Sequence, residues 1–422
     1  MRKKHPEFVY EKFDYKFKNK ILKIKFHFHI APNIDLFPTL EIPFSGEAQD
    51  IDSFVFHLGL IEMISYWKAT CSPKIVIKAG GLNDKQISWW IDLFINGLGE
   101  FFYQNKIDFR QNNFLTINSK GKKYHASENK KTGGELILIG GGKDSAFTAE
   151  LLKKENVLLV NPTPAALKIA KIAGFENAIK VKRTIDPTLL QLNKQGYLNG
   201  HTPFSAYLAL LSVLVGRLYG FEHVIVSNEA SAGEANLEYL GLSVNHQYSK
   251  SYGFEKKFRD YSKKYLSRKV NYFSFMRPLN ELQITSLFAL TKKYDKAFNS
   301  CNVGRGSYWC GACAKCAFVY LVFAALVNQK RIEAIFGKKD FFENKKINRF
   351  IRDLVGKGKH KPLDCVGTEE ESRMAQKLIK GAEKERKEII NRIKNDWSNE
   401  HFLPEEYEKI LKERIKSLSF RA

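Results

Sequence analysis

The chain has 422 residues, of which 44% are hydrophobic, and a formal net charge of +23. This composition predicts a globular protein of two or three domains and excludes the disordered class, which combines low hydrophobicity with high net charge. Four of the six cysteines lie between positions 301 and 316, unlike the spread cysteines of a secreted disulfide protein. We find neither a secretory signal nor an apolar run of the roughly 18 residues that a membrane span requires, and we expect a cytoplasmic protein without a membrane partner.

The excess positive charge is not a property of the C-terminal tail. Residues 367–422 carry a net charge of +1, and the remaining +22 lies on residues 1–366. A general bias toward lysine explains this as well as a polyanionic partner does. Such a partner is either RNA or a small molecule that carries phosphates and carboxylates.

The predicted elements begin with an antiparallel hairpin within residues 1–45, where apolar and polar side chains alternate. Helical spacing of apolar residues follows at 51–70 and 86–104, where we expect core packing. The polar, glycine-punctuated segment 119–132 is typical of a domain boundary. We therefore predict an N-terminal α+β domain over residues 1–130.

From Gly134 onward, short apolar strands alternate with helices. The predicted strands are 135–139, 157–160, 178–181 and 223–226, and the predicted helices are 145–154, 164–173 and 204–219. This alternation predicts an α/β domain over residues 131–330 with a doubly wound parallel sheet, which binds ligands at the carboxyl ends of its strands. Residues 331–422 are predicted to form a helical C-terminal region that includes a solvated helix over 369–394.

A glycine-rich loop joins the first of these strands to its helix in the segment ELILIGGGKDSAFTAELL. Its amides and the following helix N-terminus favour an anion. Glycines let phosphate oxygens approach the backbone, Lys143 adds a cation and Ser145 adds a hydroxyl. The segment is not a Walker A loop, because Ile137 replaces the first glycine and Asp144 follows the lysine. Our candidate residues for binding a phosphate group are Gly140, Gly141, Gly142, Lys143, Asp144 and Ser145.

This loop resembles the PP-loop, S-G-G-x-D-S, of ATP pyrophosphatases with the adenine-nucleotide α-hydrolase-like fold. The match covers residues 141–145, and Gly140 replaces the leading serine. The resemblance implies cleavage of ATP between its α- and β-phosphates, with Mg2+, and adenylation of an acceptor. It also places Asn161, at the end of the second strand, near the adenine.

Four cysteines follow the pattern C-x8-C-x2-C-x2-C. Four thiolates at such spacing predict a closed structural Zn2+ site, formed by Cys301, Cys310, Cys313 and Cys316. An iron–sulfur cluster requires the same ligands and stays open as an alternative. The spacing also resembles the zinc site of 7-cyano-7-deazaguanine synthase, another PP-loop enzyme.

Two polar runs, at 227–236 and 244–251, carry many hydrogen-bonding side chains, and the first begins at the carboxyl end of a predicted strand. Such donors and acceptors can fix a polar ligand in place. The candidate substrate residues are Asn228, Glu229, Glu234, Asn236, Asn245, Gln247 and Lys250. A third segment, 360–368, places Cys365 outside the cysteine cluster beside charged and glycine neighbours.

Taken together and in order, these segments resemble the MurL family of UDP-N-acetylmuramoyl-L-alanyl-L-glutamate epimerases over roughly residues 8–375. The resemblance rests on FHLGLIEMISYWKATC, GLGEFFYQN, GGGKDS, SNEASAGEAN, VNHQYSKSYGFE, the four cysteines and KPLDCVGT. It implies an enzyme of peptidoglycan synthesis that uses ATP and Mg2+ to convert the terminal L-glutamate of UDP-MurNAc-L-Ala-L-Glu into D-glutamate, releasing AMP and diphosphate. Our candidate acid/base groups are His246, Tyr248, Asp364 and Cys365.

Two other classes of protein stay open on the sequence. The first is a PP-loop enzyme that adenylates a tRNA base or nucleobase, which suits the positive charge but lacks a recognisable RNA-binding appendage. Only in this class is a nucleic-acid partner expected. The second is a metal-stabilised nucleotide-binding regulator without catalysis. No oligomeric state is predicted.

Overall fold

The computed structural model describes residues 1–46, 49–127, 133–153 and 156–418. Within these ranges its strands are β1 (Glu7–Lys18), β2 (Ile21–Ile30), β3 (Ile34–Leu36), β4 (Thr39–Pro43), β5 (Lys74–Ile77), β6 (Thr116–Ser119), β7 (Glu135–Leu138), β8 (Val157–Val160), β9 (Ile179–Thr184), β10 (His223–Val226), β11 (Leu237–Tyr239), β12 (Leu242–Val244) and β13 (Asn271–Ser274).

The α-helices of the same ranges are α1 (Asp52–Trp67), α2 (Asp84–Gly97), α3 (Gly99–Gln104), α4 (Lys143–Leu152), α5 (Pro164–Ile172), α6 (Pro187–Lys194), α7 (Phe204–Tyr219), α8 (Tyr252–Tyr265), α9 (Glu281–Phe288), α10 (Ala314–Leu326), α11 (Gln329–Phe336), α12 (Lys345–Leu354), α13 (Glu369–Lys380), α14 (Glu383–Asn395) and α15 (Glu405–Lys416). None of the helices in the described ranges has both the length and the apolarity to cross a membrane.

One large sheet runs through the molecule in the order β13-β10-β7-β8-β9-β4-β2-β1-β5-β6, with β3 paired to β2. The five strands from β13 to β9 are parallel. From β7 the chain moves outward to β8 and β9, and it then returns to place β10 and β13 on the other side of β7. The expectation of an α/β protein with a mostly parallel sheet is confirmed. The winding reverses between β7 and β10, where sheets of this kind bind ligands at the carboxyl ends of the strands.

The N-terminal strands continue this sheet. The predicted hairpin is confirmed as the antiparallel pair β1/β2. Strand β4 pairs antiparallel with β9, with Thr39 opposite Thr184, and so joins the N-terminal strands to the parallel ones. The division at residues 130 and 131 lies outside the described residues, and the three-domain division stays a prediction.

Apolar side chains cover both faces of the sheet. On one face, Leu210 and Leu214 of α7 pack with α1 and the N-terminal strands. On the other face, Phe147 of α4 and Ile169 of α5 pack with α10, whose Phe318 is fully buried. The parallel strands are therefore covered on both sides, as their continuous apolar sequences require.

The prediction of one solvated helix over residues 369–394 is wrong. The segment forms two helices, α13 and α14, which are separated at Gly381. Met374 and Leu378 of α13 are buried, as is Ile393 of α14. Most of the Glu and Lys residues occupy the outer faces, but Glu371 of α13 is buried and accepts from the Glu281 amide at 2.7 Å. The apolar faces complete the core against α9 and α10.

Candidate active site

The glycine-rich loop lies at the reversal point of the sheet, between β7 and α4. Gly141 has a φ of +105°, a region that side chains disfavour. A Cβ on Gly141 would lie 3.0 Å from Oγ1 of Thr163 and 3.1 Å from the nitrogen of Ala166, so the loop packs closely against the start of α5. The Gly141 carbonyl accepts a hydrogen bond from the Asn299 amide at 2.9 Å, just before the first cysteine of the cluster.

The N-terminus of α4 carries the donors that an anion requires. Gly142 occupies the N-cap position, and no side chain among the described residues caps this helix. Ser145 donates its hydroxyl back to the Gly142 carbonyl at 3.1 Å, and Gly140 is exposed. The first-turn amides and the helix dipole thus meet at the carboxyl end of β7.

The loop lysine is not free in this structure. Lys143 is buried and its ammonium pairs with Asp144 and Glu281. Burial raises the pKa of Glu281 to about 7, with the nearby carboxylates adding to this effect and Lys143 opposing it. Burial also opposes ionisation of Asp144, but Lys143 and Lys315 outweigh it and lower the pKa of this carboxyl. The neighbourhood of the loop therefore contains charges of both signs.

Cys365 lies at the centre of a second group of polar side chains. Its thiol is 3.4 Å from Nζ of Lys250, and its sulfur lies within 4.8 Å of ligand atoms of His246 and Asp364. Burial raises the pKa of the thiol, but the charge of Lys250 and the hydrogen bond to His246 outweigh burial and lower it to about 7. Near neutral pH a large fraction of Cys365 is thus a thiolate, the reactive form of cysteine.

His246 is held on its other side by a residue that the sequence analysis did not select. Nδ1 of His246 donates to Oε2 of Glu100, a buried carboxylate on α3. Burial lowers the pKa of His246, but hydrogen bonds to Cys365 and Glu100 raise it to about 10. A positioned carboxylate, an imidazolium and a thiolate therefore form a chain, which is the usual arrangement of an activated cysteine.

His201 is the other residue that sequence reasoning missed here. Its Nδ1 lies 3.7 Å from Oε2 of Glu100, and its ring centroid is 4.4 Å from that of His246. Burial lowers the pKa of His201 to about 3, and the charges of His246 and Lys68 add to this effect. His201 is consequently a neutral imidazole beside a charged one. Neither Glu100 nor His201 has a local sequence signal, because the fold brings them to His246 from other elements.

The loops and the glycine-rich turn belong to one electrostatic neighbourhood. The charge of Lys250 lowers the pKa of Asp144 as well as that of Cys365. Lys315, between two cysteines of the cluster, lowers the pKa of both groups and donates its ammonium to the Cys365 carbonyl. Asp144 of the predicted nucleotide loop and Cys365 therefore lie near the same two cations, and His246 and Asp364 lie within 4.8 Å of Cys365.

Several predicted substrate residues hold the loops together. Asn236 donates to the Pro362 carbonyl at 2.6 Å and accepts from the His246 amide at 2.8 Å. Gln247 donates to the Val366 carbonyl at 3.0 Å. Asn245 donates to the Ala232 carbonyl at 2.9 Å, and Glu234 pairs with Lys361 at 3.0 Å. These four side chains fix the positions of His246 and Cys365.

The remaining candidates lie around this centre. Asn228 donates to Ser274 Oγ at 3.1 Å, and Glu229 is buried with its carbonyl accepting from Arg277. The Tyr248 hydroxyl donates to Asp92 of α2 at 2.7 Å, so its hydrogen bond is with α2 and not with Cys365. The carboxylate is one cause of the raised pKa of Tyr248, after burial.

Asn161 directly follows β8 and has an exposed side chain. Its φ is +42°, and its amide group bonds the backbone nitrogen and oxygen of Arg183 at 2.9 and 2.8 Å. It therefore shapes the rim of the sheet at the position where the sequence predicts the adenine.

The four clustered cysteines converge as predicted for a metal site. All four sulfurs lie within 4.8 Å of one another, with Cys301 and Cys313 3.9 Å apart and Cys310 and Cys316 3.8 Å apart. These separations exceed the roughly 2.05 Å of a disulfide bond. They match the spacing of about 3.8 Å that four Zn–S bonds of about 2.3 Å give in a tetrahedron. The residues therefore fit a four-coordinate Zn2+.

Comparisons with known proteins identify two matching family models and several similar proteins. Residues 1–275 match the MurL N-terminal domain, and residues 294–407 match the MurL C-terminal domain. A UDP-N-acetyl-alpha-D-muramoyl-L-alanyl-L-glutamate epimerase of Xanthomonas oryzae pv. oryzae is 32% identical over 341 residues, covering 76% of this chain and 73% of the relative. Relatives of the same name from Salinispora tropica and Micromonospora sp. are 32% and 31% identical, covering 76% of this chain and 72% and 73% of their own lengths.

No solved structure matches the chain. The two matched domains cover both the glycine-rich loop and the Cys365 segment, and the relatives share the larger part of their length with it. The chain belongs to the MurL family.

Proposed function

We propose that this protein inverts the terminal L-glutamate of UDP-MurNAc-L-Ala-L-Glu in an ATP-dependent reaction of peptidoglycan synthesis. The names of the three relatives support this substrate. The observation that carries the proposal is the Lys250–Cys365–His246 group next to the glycine-rich loop. A base close to a phosphate-binding loop is what an epimerase that activates its substrate with ATP requires.

The residues at the loop fit a PP-loop nucleotide site. The uncapped α4 N-terminus and the closely packed Gly141 would receive phosphate oxygens of ATP, and Asp144 would hold Mg2+ against them. Lys143 pairs with two carboxylates in this structure, and its ammonium would also donate a hydrogen bond to a phosphate oxygen. Asn161 stands at the rim of the neighbouring strand, where the adenine is expected.

Activation matters because an ordinary glutamate resists loss of its α-proton. The carboxylate already carries a negative charge, and proton removal would add a second one on the adjacent atom. ATP, when bound, supplies an adenylate of this carboxylate, which removes the first charge and lets the carbonyl take up enolate density. A side chain of ordinary basicity is then sufficient.

Cys365 is the side chain that we assign to α-proton removal. Lys250 holds the sulfur in its thiolate form, and His246, positioned by Glu100, stabilises the same charge. Asn236 fixes the His246 backbone to the segment that carries Cys365. Inversion further requires that a proton return on the opposite face of the α-carbon.

We assign the four-cysteine site a structural role. Its cysteines offer four sulfur ligands and leave no open position for a substrate. Asn299 links this site to the glycine-rich loop, because its side chain accepts from the Cys301 amide at 3.0 Å while its amide donates to the Gly141 carbonyl. A metal bound there would fix the loop that receives ATP.

The proposal is tested by incubating the purified protein with ATP, Mg2+ and UDP-MurNAc-L-Ala-L-Glu. We expect AMP and diphosphate to form together with a product that contains D-glutamate. Unmodified tRNA in place of the dipeptide substrate is the control and should yield no AMP. AMP formation with tRNA, and not with the dipeptide, would contradict the proposal in favour of an RNA-modifying enzyme.

A further inference from the structure

A cavity of about 770 Å³ lies beside the proposed active site. Its walls are α12, the turn that precedes α10, and the segment 359–364. Pockets for small ligands have volumes of this order. Asp364 lines the cavity and is directly followed in sequence by Cys365, so the cavity adjoins the proposed base.

Three cations line this cavity. Lys346 and Arg349 are one helical turn apart on α12 and so share a face of the helix, and Lys359 comes from the facing segment. All three side chains are exposed. Within the part of the chain that the structure describes, no carboxylate forms an ion pair with any of them. Two separate elements thus present unpaired positive charge to the same space.

The carboxylates of the cavity do not neutralise these cations. Asp364 accepts hydrogen bonds from Asn302 Nδ2 at 2.9 Å and from the Cys365 amide at 2.8 Å. Asp353 lies against the Gly358 backbone, where a Cβ would be 1.7 Å from its Oδ1. The half-buried ring of Phe350 adds an apolar wall of the kind on which a planar base can lie.

We infer that this cavity binds the diphosphate of a nucleoside-diphosphate substrate through Lys346, Arg349 and Lys359, with Phe350 available to the base. This inference rests on the proposed function, and it adds the subsite that receives the end of the substrate remote from the glutamate. A guanidinium and two ammonium groups match the charge and the oxygen acceptors of a diphosphate. The anion site that we propose for ATP is the α4 N-terminus, whose residues do not line this cavity.

The test measures UDP binding by calorimetry in the full chain and in the variants Lys346→Glu, Arg349→Ala and Lys359→Glu. Each is expected to weaken UDP binding about tenfold or more, since each removes a charged hydrogen-bond partner. Lys345→Glu and Lys357→Glu are matched controls for the two lysine variants, and Arg352→Ala is the control for Arg349→Ala, because each changes charge equally at an exposed neighbour that does not line the cavity. Controls are expected to bind UDP as the unmodified chain does, and all variants should keep their affinity for ATP.

The outcomes separate this inference from the proposed function. Equal UDP affinity in variants and controls overturns the subsite, even if the unmodified chain epimerises its substrate. Loss of ATP affinity in place of UDP affinity overturns it as well, and so does weakened binding of an RNA oligonucleotide with UDP binding unchanged. UDP binding that depends on the three cations, in a protein that forms no AMP from UDP-MurNAc-L-Ala-L-Glu, upholds the subsite and refutes the proposed function.

Discussion

Nζ of Lys250 lies 3.4 Å from Sγ of Cys365, although 115 positions separate the two residues in the sequence. This contact is the largest of the influences that lower the pKa of the thiol to about 7 against its burial. The fold thus supplies a thiolate near neutral pH beside Lys250 and His246. The following predictions depend on this relationship and on the elements that support it.

Replacing Lys250 by methionine should move the pH dependence of α-proton exchange to higher pH. The thiolate is the active form, so exchange rises as pH increases through the thiol pKa. Without the ammonium the pKa returns from about 7 toward its ordinary value of 9. At pH 7 we expect exchange to fall about tenfold or more, since a thiol pKa that reached 9 would lower the thiolate fraction about fiftyfold.

The control for this prediction is Lys256→Met, which removes an exposed ammonium from the neighbouring helix α8. Its pH profile should match that of the unmodified chain. A profile of the Lys250 variant that keeps its midpoint near pH 7 would show that Lys250 does not set the ionisation of Cys365.

Asp144→Asn should impair the ATP half-reaction and leave UDP binding intact. The amide cannot carry the charge that we expect to hold Mg2+ beside the α4 N-terminus. We expect a drop in AMP formation of about a hundredfold or more, which corresponds to the loss of roughly 2.7 kcal/mol of transition-state stabilisation. Glu150→Gln on the same helix is the control, and an equal loss in both variants would refute a specific role of Asp144.

Metal analysis should find about one Zn2+ per chain, because four thiolates form one closed site. Cys313→Ser removes a ligand and should abolish the bound zinc and lower the melting temperature. Cys365→Ser should keep it, since Cys365 lies outside the four-sulfur group. Zinc lost from the Cys365 variant, or visible absorption typical of an iron–sulfur cluster, would contradict this assignment.

Arg277→Met should destabilise the protein and displace the site loops. Arg277 is fully buried, pairs with Glu255 at 2.9 Å, and donates to the carbonyls of Glu229 and Lys250. Loss of one partner of a buried ion pair costs about 3–5 kcal/mol of the free energy of unfolding. Lys387→Met, in an exposed pair on α14, should change that free energy by less than about 0.5 kcal/mol. Equal stability of both variants in denaturant titration would disprove the prediction.

The main elements of the fold follow from local patterns in the sequence. The alternation of apolar and polar side chains in residues 13–30 predicts the β1/β2 hairpin, and short apolar runs between helices predict β8 and β10. The antiparallel pairing of β4 with β9 has no such signal, because it depends on contacts between distant segments. The buried face of α13 was not predicted, because the charged residues of its outer face dominate the composition and residue type alone does not show which side of a helix is packed.

The sequence predicts the separate segments of the site, but it does not predict the contacts between them. The glycine loop, the cysteine cluster and Cys365 stand out by residue type and spacing. Glu100 lies in a segment that contributed to the family resemblance, yet only the tertiary structure shows it bound to His246. Conversely, the loop-holding bonds of Asn236 and Gln247 cannot be predicted from composition, because an amide that holds loops together is the same residue type as an amide that binds a ligand. Their role in substrate binding stays a prediction.

The central claim is that the Cys365 thiolate removes the α-proton of the activated glutamate, and exchange of that proton with deuterated solvent tests it most directly. In Cys365→Ser, supplied with ATP, Mg2+ and UDP-MurNAc-L-Ala-L-Glu, we expect AMP to form while deuterium incorporation at the α-carbon falls at least a hundredfold, an effect of the size that general base catalysis contributes. Deuterium incorporation at the rate of the unmodified chain would contradict the account.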